Sequence, residues 1–525
     1  MPSESTAGIQ VEASTNSDTR KGFRRRPLDP GQARVQQAAL AVCALAASGA
    51  SRLPFSPTQA NVCFESNIGE RMTIAAELAQ FAARTQFLDL PAKAIDHAAM
   101  LIASTVASAA MGANLESSQI VRRFEMENGG TPDSRAWFAG PTRLPAARAA
   151  RINAVMSDAA ASDDSDLRNI THPGTPLIAA SLAVAQKTGA SGKDVLTAVT
   201  LGYELAGRIN GGVVPGLIWE RGFHGCMVAI FGATVASGLL LKLNAAQLTH
   251  ALGLAATSNA GLLAAANTST AREYHAGLAA LLGVEAAQLA GLGFQSEVGI
   301  LEHPQGFFHT YGVDAHASGR VTDVTRGLGE NWKILDEMAI KLVPGAHPYH
   351  AMAEAAAEAS RMAAVPASDI ASIICSLPNK RELSGPRHPT DLVGAAHSPI
   401  YFAAASVADR EFTWQHLSQE KIMDPDIRRL LDLVEVGNPP TEDLERYKEG
   451  ATVTVKTLDG RSFSKTVFAP RGSAARGIEW HDVEGKFKAL CPLAGVGAHN
   501  VGKCIDLLRN FHEVTAVGEF VELLG

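Results

Sequence analysis

The sequence predicts a mainly α protein that also contains a smaller α+β unit. Apolar residues recur at helical spacing over most of residues 73–319, which is typical of packed helices. Alternating runs appear only later, as in ATVTVKT at 451–457, and Asp-Gly at 459–460 before a second run indicates a β-hairpin. Helical patterns return near the C-terminus, from residue 484 onward. The fold class is therefore helical, with the β structure confined to one later part of the chain.

The first segment, residues 1–71, lacks the pattern of a packed domain. Residues 1–34 are polar and rich in Ser, Thr, Gly and Pro, so we predict that they are disordered. Residues 35–51 are uncharged, but this run is rich in Ala and its basic flank lies far from the N-terminus, which favours a short helix over a signal peptide. Met72 then opens an amphipathic pattern with Thr73 as its expected cap. We expect Met72 to be the natural start and the preceding residues to be a leader or extension of little functional weight.

Helices are predicted to fill residues 72–320, the first segment of a helical domain. Ala and Gly abound there, and small side chains let helix axes approach closely around a buried centre. Residues 243–271 carry no charge, but polar side chains are spread through them, so we interpret them as a buried core hairpin and not as a membrane span. The other predicted helices lie at 92–111, 142–161, 177–188, 192–209, 226–243 and 278–292.

The α+β unit is predicted at residues 321–470, and residues 471–525 return to helix. In this unit the apolar residues change from helical spacing to alternation and include β-branched residues, which favours strands. The predicted strands are 370–377, 451–457 and 462–468, and the helices between them are 350–363 and 398–409. The predicted C-terminal helices are 484–490 and 501–524.

Composition restricts the partners of the protein more than its activity. The formal net charge of −7 argues against a nucleic-acid partner, and no segment argues for a membrane. The six cysteines are scattered and form no C-x-x-C, so no disulfide framework, zinc set or iron–sulfur set can be assigned. We therefore expect a reduced, cytoplasmic compartment and acid–base chemistry carried by side chains.

The stretch SDDSDLRNITHPGTP at 162–176 brings three carboxylates, an arginine and a histidine to the start of a predicted helix. Thr171 is the expected N-cap, and Pro173 suits the first turn. Unpaired N–H groups and the positive end of the dipole lie at a helix N-terminus, so His172 could act there as base or acid on an anionic substrate. A polar loop with an ordinary cap has the same composition, so this stretch alone does not decide between the two readings.

Three later motifs carry further polar residues. In RGFHG at 221–225, His224 sits in a glycine-flanked turn that suits either backbone contacts or a cleft. In AREYHAG at 271–277, the arginine offers a planar fork for a carboxylate. In AIKLVPGAHPYH at 339–350, Lys341 is flanked by apolar residues, which fits a surface lysine or a charge directed into a cleft. The HPYH histidines have metal-pair spacing, but no third ligand lies at a diagnostic distance, so we predict no metal.

These motifs together resemble the MmgE/PrpD family, in its order and spacing, from about Met72 to the C-terminus. The resemblance implies a large helical domain formed by both chain ends, with an inserted α+β lid. It also implies an enzyme that acts on a small polycarboxylate without a metal, like 2-methylcitrate dehydratase, cis-aconitate decarboxylase and iminodisuccinate epimerase. We expect no cofactor, and we expect a homodimer.

The resemblance also assigns roles to residues. It places the catalytic histidine on His172 and an active-site lysine on Lys341. Asp163 and Asp166 are expected to orient the histidine or bind a substrate hydroxyl, although SDDSD departs from the family pattern D-x-D-D-T. The predicted catalytic residues are His172, Lys341, Asp163, Asp166 and His224. The predicted substrate-binding residues are Arg272, Tyr274, His275, Thr171, Arg168 and Arg221.

The reaction predicted first is that of a dehydratase-type lyase. His172 would remove a proton α to a carboxylate, and Lys341 and Arg272 would hold the negative charge that develops. Relatives of the dehydratase and decarboxylase type resemble one another in having lysine at the Arg272 position, and arginine does not donate a proton. This departure, with that of SDDSD, therefore keeps open an epimerase acting on a dicarboxylate such as iminodisuccinate. A cis-aconitate-type decarboxylase is a further alternative, because decarboxylation differs only in the group that departs. A helical scaffold protein is the non-enzymatic alternative, and it would have no converging polar site.

Overall fold

The computed structural model describes residues 72–168, 171–214, 217–312, 320–378 and 380–525. The predictions for residues 1–71, namely a disordered leader and a short helix, lie outside the described residues. The start of the functional chain at Met72 stays a prediction.

The described chain begins with the helix that the sequence predicted after Met72. This helix, α1 (Ile74–Arg84), is capped by Thr73, whose Oγ1 accepts a hydrogen bond from Ala76 N–H at 3.3 Å. The next helix, α2 (Ala92–Gly112), is long and apolar enough to cross a membrane by length and composition. However, 83% of its apolar window is buried inside the protein, as in the core helix of a packed domain.

Helices make up most of the following two hundred residues. They are α3 (Glu116–Asn128), α4 (Ala146–Ala159), α5 (Gly174–Thr188), α6 (Gly192–Gly211), α7 (Leu217–Glu220), α8 (Ile230–Leu240), α9 (Ala245–Thr257), α10 (Leu263–Thr268), α11 (Ala271–Gly291), α12 (Phe307–Tyr311), α13 (Arg320–Asp323) and α14 (Lys333–Asp336). Short strands β1 (Ser134–Arg135), β2 (Arg143–Leu144), β3 (Asp164–Asp166) and β4 (Met338–Ile340) interrupt them.

Several predicted helix bounds need correction. The helix predicted at 142–161 begins only after Pro145, because the preceding residues pair as β2 with β1. The helix predicted at 226–243 opens as a 3-10 turn, Gly225–Ala229. The helix predicted at 278–292 begins earlier, as α11, so the AREYHAG motif forms its first turns. The hairpin predicted at 243–271 contains two helices, but Leu262 between them is 60% exposed, so it is not wholly buried.

The later part of the chain forms a four-stranded sheet with helices packed on it. Its strand order is β6 (Val434–Val436), β5 (Ile370–Ser376), β7 (Ala451–Thr457) and β8 (Ser462–Val467). Strand β5 runs parallel to β6 and antiparallel to β7, and the β7–β8 hairpin turns at Gly460 with φ of 85°. The helices of this part are α15 (His350–Ala363), α16 (Leu392–Ala396), α17 (Pro399–Asp409), α18 (Gln419–Ile422) and α19 (Pro425–Leu431).

The C-terminal residues return to helix, as predicted, but in shorter pieces. They form α20 (Trp480–Leu490), α21 (Ala498–Arg509) and α22 (Gly518–Glu522). The single helix predicted at 501–524 is wrong, because α21 ends at Arg509 and a 3-10 turn, Phe511–Glu513, follows.

The mainly α fold class is confirmed. The described residues pack around two hydrophobic cores. The larger core combines residues from α1 to α14 with residues from α20 to α22, so both ends of the described chain contribute to it. The smaller core lies between the sheet and helices α15, α17 and α19. We call the part of the chain around the smaller core the lid.

Candidate active site

The pairing of β3 with β4 brings two distant motifs together. The strands are antiparallel, with Asp164 opposite Ile340. Asp163 directly precedes β3 and Lys341 directly follows β4, so the two side chains lie at the same end of the pair. Backbone pairing of the two strands therefore brings together side chains that are 178 positions apart in sequence.

Asp163 is the centre of a buried cluster with Lys341 and His172. Its Oδ1 lies 2.8 Å from Lys341 Nζ, and its Oδ2 lies 2.9 Å from His172 Nδ1. The aspartate and lysine side chains are only 2% and 3% exposed. Burial alone would raise the pKa of Asp163, but the positive charges of His172 and Lys341 hold it well below its usual value. The carboxylate therefore stays ionised and orients both partners.

His172 presents one ring edge to the cluster and leaves the other for a substrate. Nδ1 lies 2.6 Å from the backbone oxygen of Asp164 as well as near the Asp163 carboxylate, so it carries a proton. The side chain is 24% exposed, more than its partners, and Nε2 is its remaining reactive atom. Burial lowers the pKa of His172, but the negative charge of Asp163 outweighs it, and the pKa is raised above its ordinary value.

The helix start after His172 differs from the prediction. Helix α5 is capped by Asp164, ten residues earlier, since Gly174 N–H lies 3.1 Å from both of its carboxylate oxygens. Tyr203 O–H donates to the same carboxylate at 2.7 Å, and burial raises the pKa of Asp164 to about 6. Thr171 as N-cap is wrong, because its carbonyl accepts from Asp166 N–H in a β-bridge that holds residue 171 away from the helix. The first helical N–H is thus occupied and not free for a substrate.

Arg272 is fixed by a partner that the sequence reading did not name. Its Nε donates to Asp158 Oδ2 at 3.0 Å, and its Nη2 donates to the Asp158 carbonyl. Asp158 lies in the last turn of α4, and Arg272 lies in the first turn of α11. The Arg272 Nη1 group has no hydrogen-bond partner among the residues that the structure describes. The arginine therefore has N–H groups left to bind an anion.

His224 and His275 form a neutral pair beside this arginine. Their Nδ1 atoms are 3.2 Å apart, and both side chains are buried. Burial lowers the pKa of His224 to about 3, and the charges of His172 and Arg272 contribute to this shift. Burial likewise lowers the pKa of His275. The pair supplies uncharged hydrogen-bonding groups close to the charged cluster.

His347 and His350 lie on the lid side of Lys341. Their rings are 4.8 Å apart and both are buried. Burial lowers the pKa of His347 to about 3 and that of His350 well below its usual value, so both are neutral. Neither ring nitrogen of His347 has a hydrogen-bond partner within the described ranges. Buried polar groups normally have a hydrogen-bond partner, so His347 is suited to bind a ligand beside Lys341.

Comparison with known proteins decides the family. The model of the MmgE/PrpD N-terminal domain matches residues 76–318, and that of the MmgE/PrpD C-terminal domain matches residues 344–502. The chain belongs to the MmgE/PrpD family. It is similar to a cis-aconitate decarboxylase of Homo sapiens, with 27% identity over 76% of this chain and 83% of the relative. It is also similar to cis-aconitate decarboxylases of Mus musculus, with 27% identity over 72% and 78%, and of Aspergillus terreus, with 24% identity over 86% and 96%.

Asp166 and Arg168, two further predicted site residues of this MmgE/PrpD enzyme, make contacts with other groups. Asp166 Oδ1 accepts a hydrogen bond from Arg168 N–H at 3.0 Å within its own turn. Arg168 is 59% exposed and pairs with Glu337 at 2.9 Å. These contacts do not bring either residue to the Asp163 cluster.

Tyr274 and Arg221, which were also predicted to bind substrate, are exposed and make other contacts. Tyr274 is 47% exposed, and the Arg151 guanidinium stacks over its ring at 5.3 Å. Arg221 is exposed and donates to the Thr310 carbonyl. Successive residues of a helix project in different directions around its axis. Tyr274 therefore points outward, while its neighbours Arg272 and His275 point inward.

Four residues that contact or adjoin the site were not predicted from the sequence as parts of it: Asp158, Tyr203, His347 and Lys486. Asp158 had a usable signal, because it is a carboxylate near the end of a predicted helix just before the acidic loop. Tyr203 and Lys486 had none, because each meets the site only through tertiary packing. Among the described residues, no group of three or more His, Cys, Asp or Glu is arranged to hold a metal ion.

A separate cavity of about 1040 Å³ lies against the lid. Its lining includes His350 and Trp414, together with charged side chains such as Lys465 and Glu411. It does not include Asp163, His172 or Arg272, so the acid–base cluster lies outside it. We place the chemistry at the ion-pair cluster, because the oriented histidine and the cations converge there.

Proposed function

We propose that this MmgE/PrpD enzyme is a lyase that removes carbon dioxide from a small tricarboxylate of the cis-aconitate type. The observation that carries the proposal is the buried Asp163 carboxylate, which bridges His172 and Lys341. The relatives named cis-aconitate decarboxylase support the substrate class. Three cations in the site, including Arg272, complement a substrate with several negative charges.

The protonation of His172 favours decarboxylation over the dehydration that the sequence predicted first. Because Asp163 raises the pKa of His172, more of this histidine is imidazolium at a given pH than of a free histidine, and an imidazolium can deliver a proton but cannot remove one. Decarboxylation breaks a carbon–carbon bond, and carbon dioxide leaves without the bonding electrons. The electron pair moves through the neighbouring double bond, and the carbon that receives it takes the proton from His172 Nε2. His172 becomes neutral and is reprotonated from water.

The other residues bind and orient the substrate in this proposal. Arg272, held by Asp158, would bind one carboxylate through its remaining N–H groups. Lys341 would face the carbon skeleton and stabilise negative charge as the bond breaks. His347 would donate a hydrogen bond to a substrate oxygen, because its ring nitrogens have no partner among the described residues.

Dehydration is the second candidate, and the same ion pair favours it. With His172 unprotonated, the Asp163–His172 pair could remove a proton α to a carboxylate, after which a β-hydroxyl would leave. This reaction needs the neutral imidazole at the start of the cycle. Because the pKa of His172 is raised, we rank dehydration after decarboxylation.

A substrate panel in heavy water tests the function. Purified enzyme would be given cis-aconitate, citrate, 2-methylcitrate and iminodisuccinate, each with and without a metal chelator. We expect carbon dioxide from cis-aconitate, one deuterium in the product by NMR, and equal rates with the chelator. Loss of water without carbon dioxide would identify a dehydratase, and deuterium exchange without a change of skeleton would identify an epimerase. No turnover of any of them would overturn the proposal.

Replacing Arg272 by lysine is expected to raise KM about tenfold or more and to change kcat by less than about threefold. Lysine keeps the charge but loses the planar fork and the contact from Nε to Asp158. Steady-state kinetics measures both constants. Arg168→Lys is the matched control, because Arg168 pairs with Glu337 and should leave both constants unchanged. A fall in kcat with unaltered KM would show that Arg272 acts in the chemical step.

We further propose that the enzyme is a homodimer joined through the outer face of α3 and α11. Phe124 and Tyr274 are half exposed there, and Arg151 stacks on both rings at 5.5 and 5.3 Å. Exposed aromatic groups with an arginine between them are typical of interface centres. Phe124→Glu should convert a dimer to a monomer in sedimentation velocity, whereas Leu458→Glu, at the exposed β7–β8 turn, should not. A wild-type monomer would contradict the proposal.

A further inference from the structure

The loop that carries Asp163 has a strained backbone. Ala161 is buried and has φ of 51°, a left-handed conformation that is costly for a residue with a Cβ. Its carbonyl accepts a hydrogen bond from Gly345 N–H at 2.8 Å. A strained loop keeps its shape only when its surroundings hold it, so the contacts of the next residues matter for the Asp163 carboxylate.

The peptide that links Ser162 to Asp163 is held from two sides. The Ser162 carbonyl accepts from Ser108 Oγ at 2.7 Å and from Lys486 Nζ at 2.6 Å. Lys486 lies on α20, 324 residues after Ser162, and its Nζ also donates to Ser104 Oγ at 2.8 Å. Helix α2 supplies both serines. Helix α20 is thereby connected directly to the loop that carries Asp163.

Lys486 is an unusual residue for this position. Its side chain is 2% exposed, and no carboxylate of a described residue lies within ion-pair distance of it. Burial lowers the pKa of Lys486 to about 7. Asp163 and Asp164 oppose that shift, whereas Lys341 adds to it. Cys491 and the Trp414 ring, 5.5 Å away, also face it.

Packing alone does not explain a lysine there. An apolar side chain of similar length would fill the same space without burying a charge, and such replacements are often neutral or stabilising. The hydrogen bond to Ser162 also survives loss of the proton, because a neutral amine retains two N–H donors. The contact therefore persists on both sides of pH 7.

We propose that Lys486 is a positioning residue that fixes the Ser162–Asp163 peptide, so that the Asp163 carboxylate meets both His172 and Lys341. It touches no reacting atom in this proposal and acts through Asp163. Its effect on turnover rests on the proposed function, whereas its effect on the loop geometry does not.

The kinetic test is Lys486→Met, with Lys488→Met as the control. Lys488 lies on the same helix, is 59% exposed and pairs with Glu484. We expect Lys486→Met to lower kcat about tenfold or more, because misplaced catalytic groups lose rate steeply, and to leave KM within about twofold. Its melting temperature should equal or exceed that of the wild type. An unchanged kcat, or a rise in KM alone, would overturn the inference.

A crystal structure of Lys486→Met tests the geometry without a substrate. We expect the Asp163 carboxylate to leave its positions 2.8 Å from Lys341 Nζ and 2.9 Å from His172 Nδ1. Unchanged distances would overturn the inference, whatever the substrate proves to be. If Lys486→Met does not fold, Ser108→Ala removes the other donor to the Ser162 carbonyl and should lower kcat with KM unaltered. Failure of the wild type on the substrate panel would instead overturn the proposed function and leave this structural test in place.

Discussion

Replacing His172 by asparagine is expected to lower kcat about a hundredfold or more while the fold persists. The histidine is the proton donor in the proposed reaction, and losing a general acid typically removes this much rate. The fold should persist because α5 is capped by Asp164, whose contacts to Gly174 do not involve the imidazole. Kinetics with cis-aconitate and thermal unfolding measure the two effects. Near-normal turnover would show that another group delivers the proton.

The pH dependence gives an independent check on His172. Its pKa is raised in the fold, so the ion pair with Asp163 contributes stability that is fully present below the unfolded pKa of about 6.5 and is lost as pH rises through the folded value. The wild type should therefore exceed His172→Asn in melting temperature mainly at lower pH. Its kcat should also fall as pH rises through the raised pKa. His481→Asn, at a side chain that is 72% exposed, should change neither profile.

Replacing Lys341 by methionine is expected to abolish most activity and to destabilise the protein by about 3–5 kcal/mol. Removing one partner of a buried ion pair leaves the other charge without compensation, which is the reason for this magnitude. Among the described residues, His172 would then be the one positive group left within ion-pair distance of Asp163. Urea unfolding measures the free-energy change. The matched control is Lys187→Met, which breaks a 2.6 Å pair with Asp133 at a partly exposed site and should cost less than about 1 kcal/mol.

The acid sensitivity of Lys341→Met should also change. The folded pKa of Asp163 is depressed, so its ion pairs contribute stability above the unfolded pKa of about 3.9, and this stability is lost as pH falls through the folded value. With one cation removed, the pKa of Asp163 rises, and acid unfolding should begin at higher pH than in the wild type. Equal stability and equal acid unfolding in both proteins would show that the pair has no energetic role.

The sequence by itself determined the local elements and the types of residue in the site. The bounds of α15 and β7 match the predicted ranges 350–363 and 451–457, because apolar periodicity and hairpin chemistry act over a few neighbouring residues. His172, Lys341 and Asp163 were named from their motifs. The family and the fold class were also predicted and are confirmed.

The tertiary structure alone decided what each of these residues contacts. Asp163, Asp164 and Asp166 are neighbours of one type, yet one pairs with Lys341, one caps α5, and one closes its own turn. The β3–β4 pairing and the position of α5 make that division, and both depend on segments far away in sequence. The hydrogen bond from Lys486 to the Ser162 carbonyl and the shifted pKa values arise in the same way. Burial and charge are properties of the space around a side chain, and distant parts of the chain fill that space.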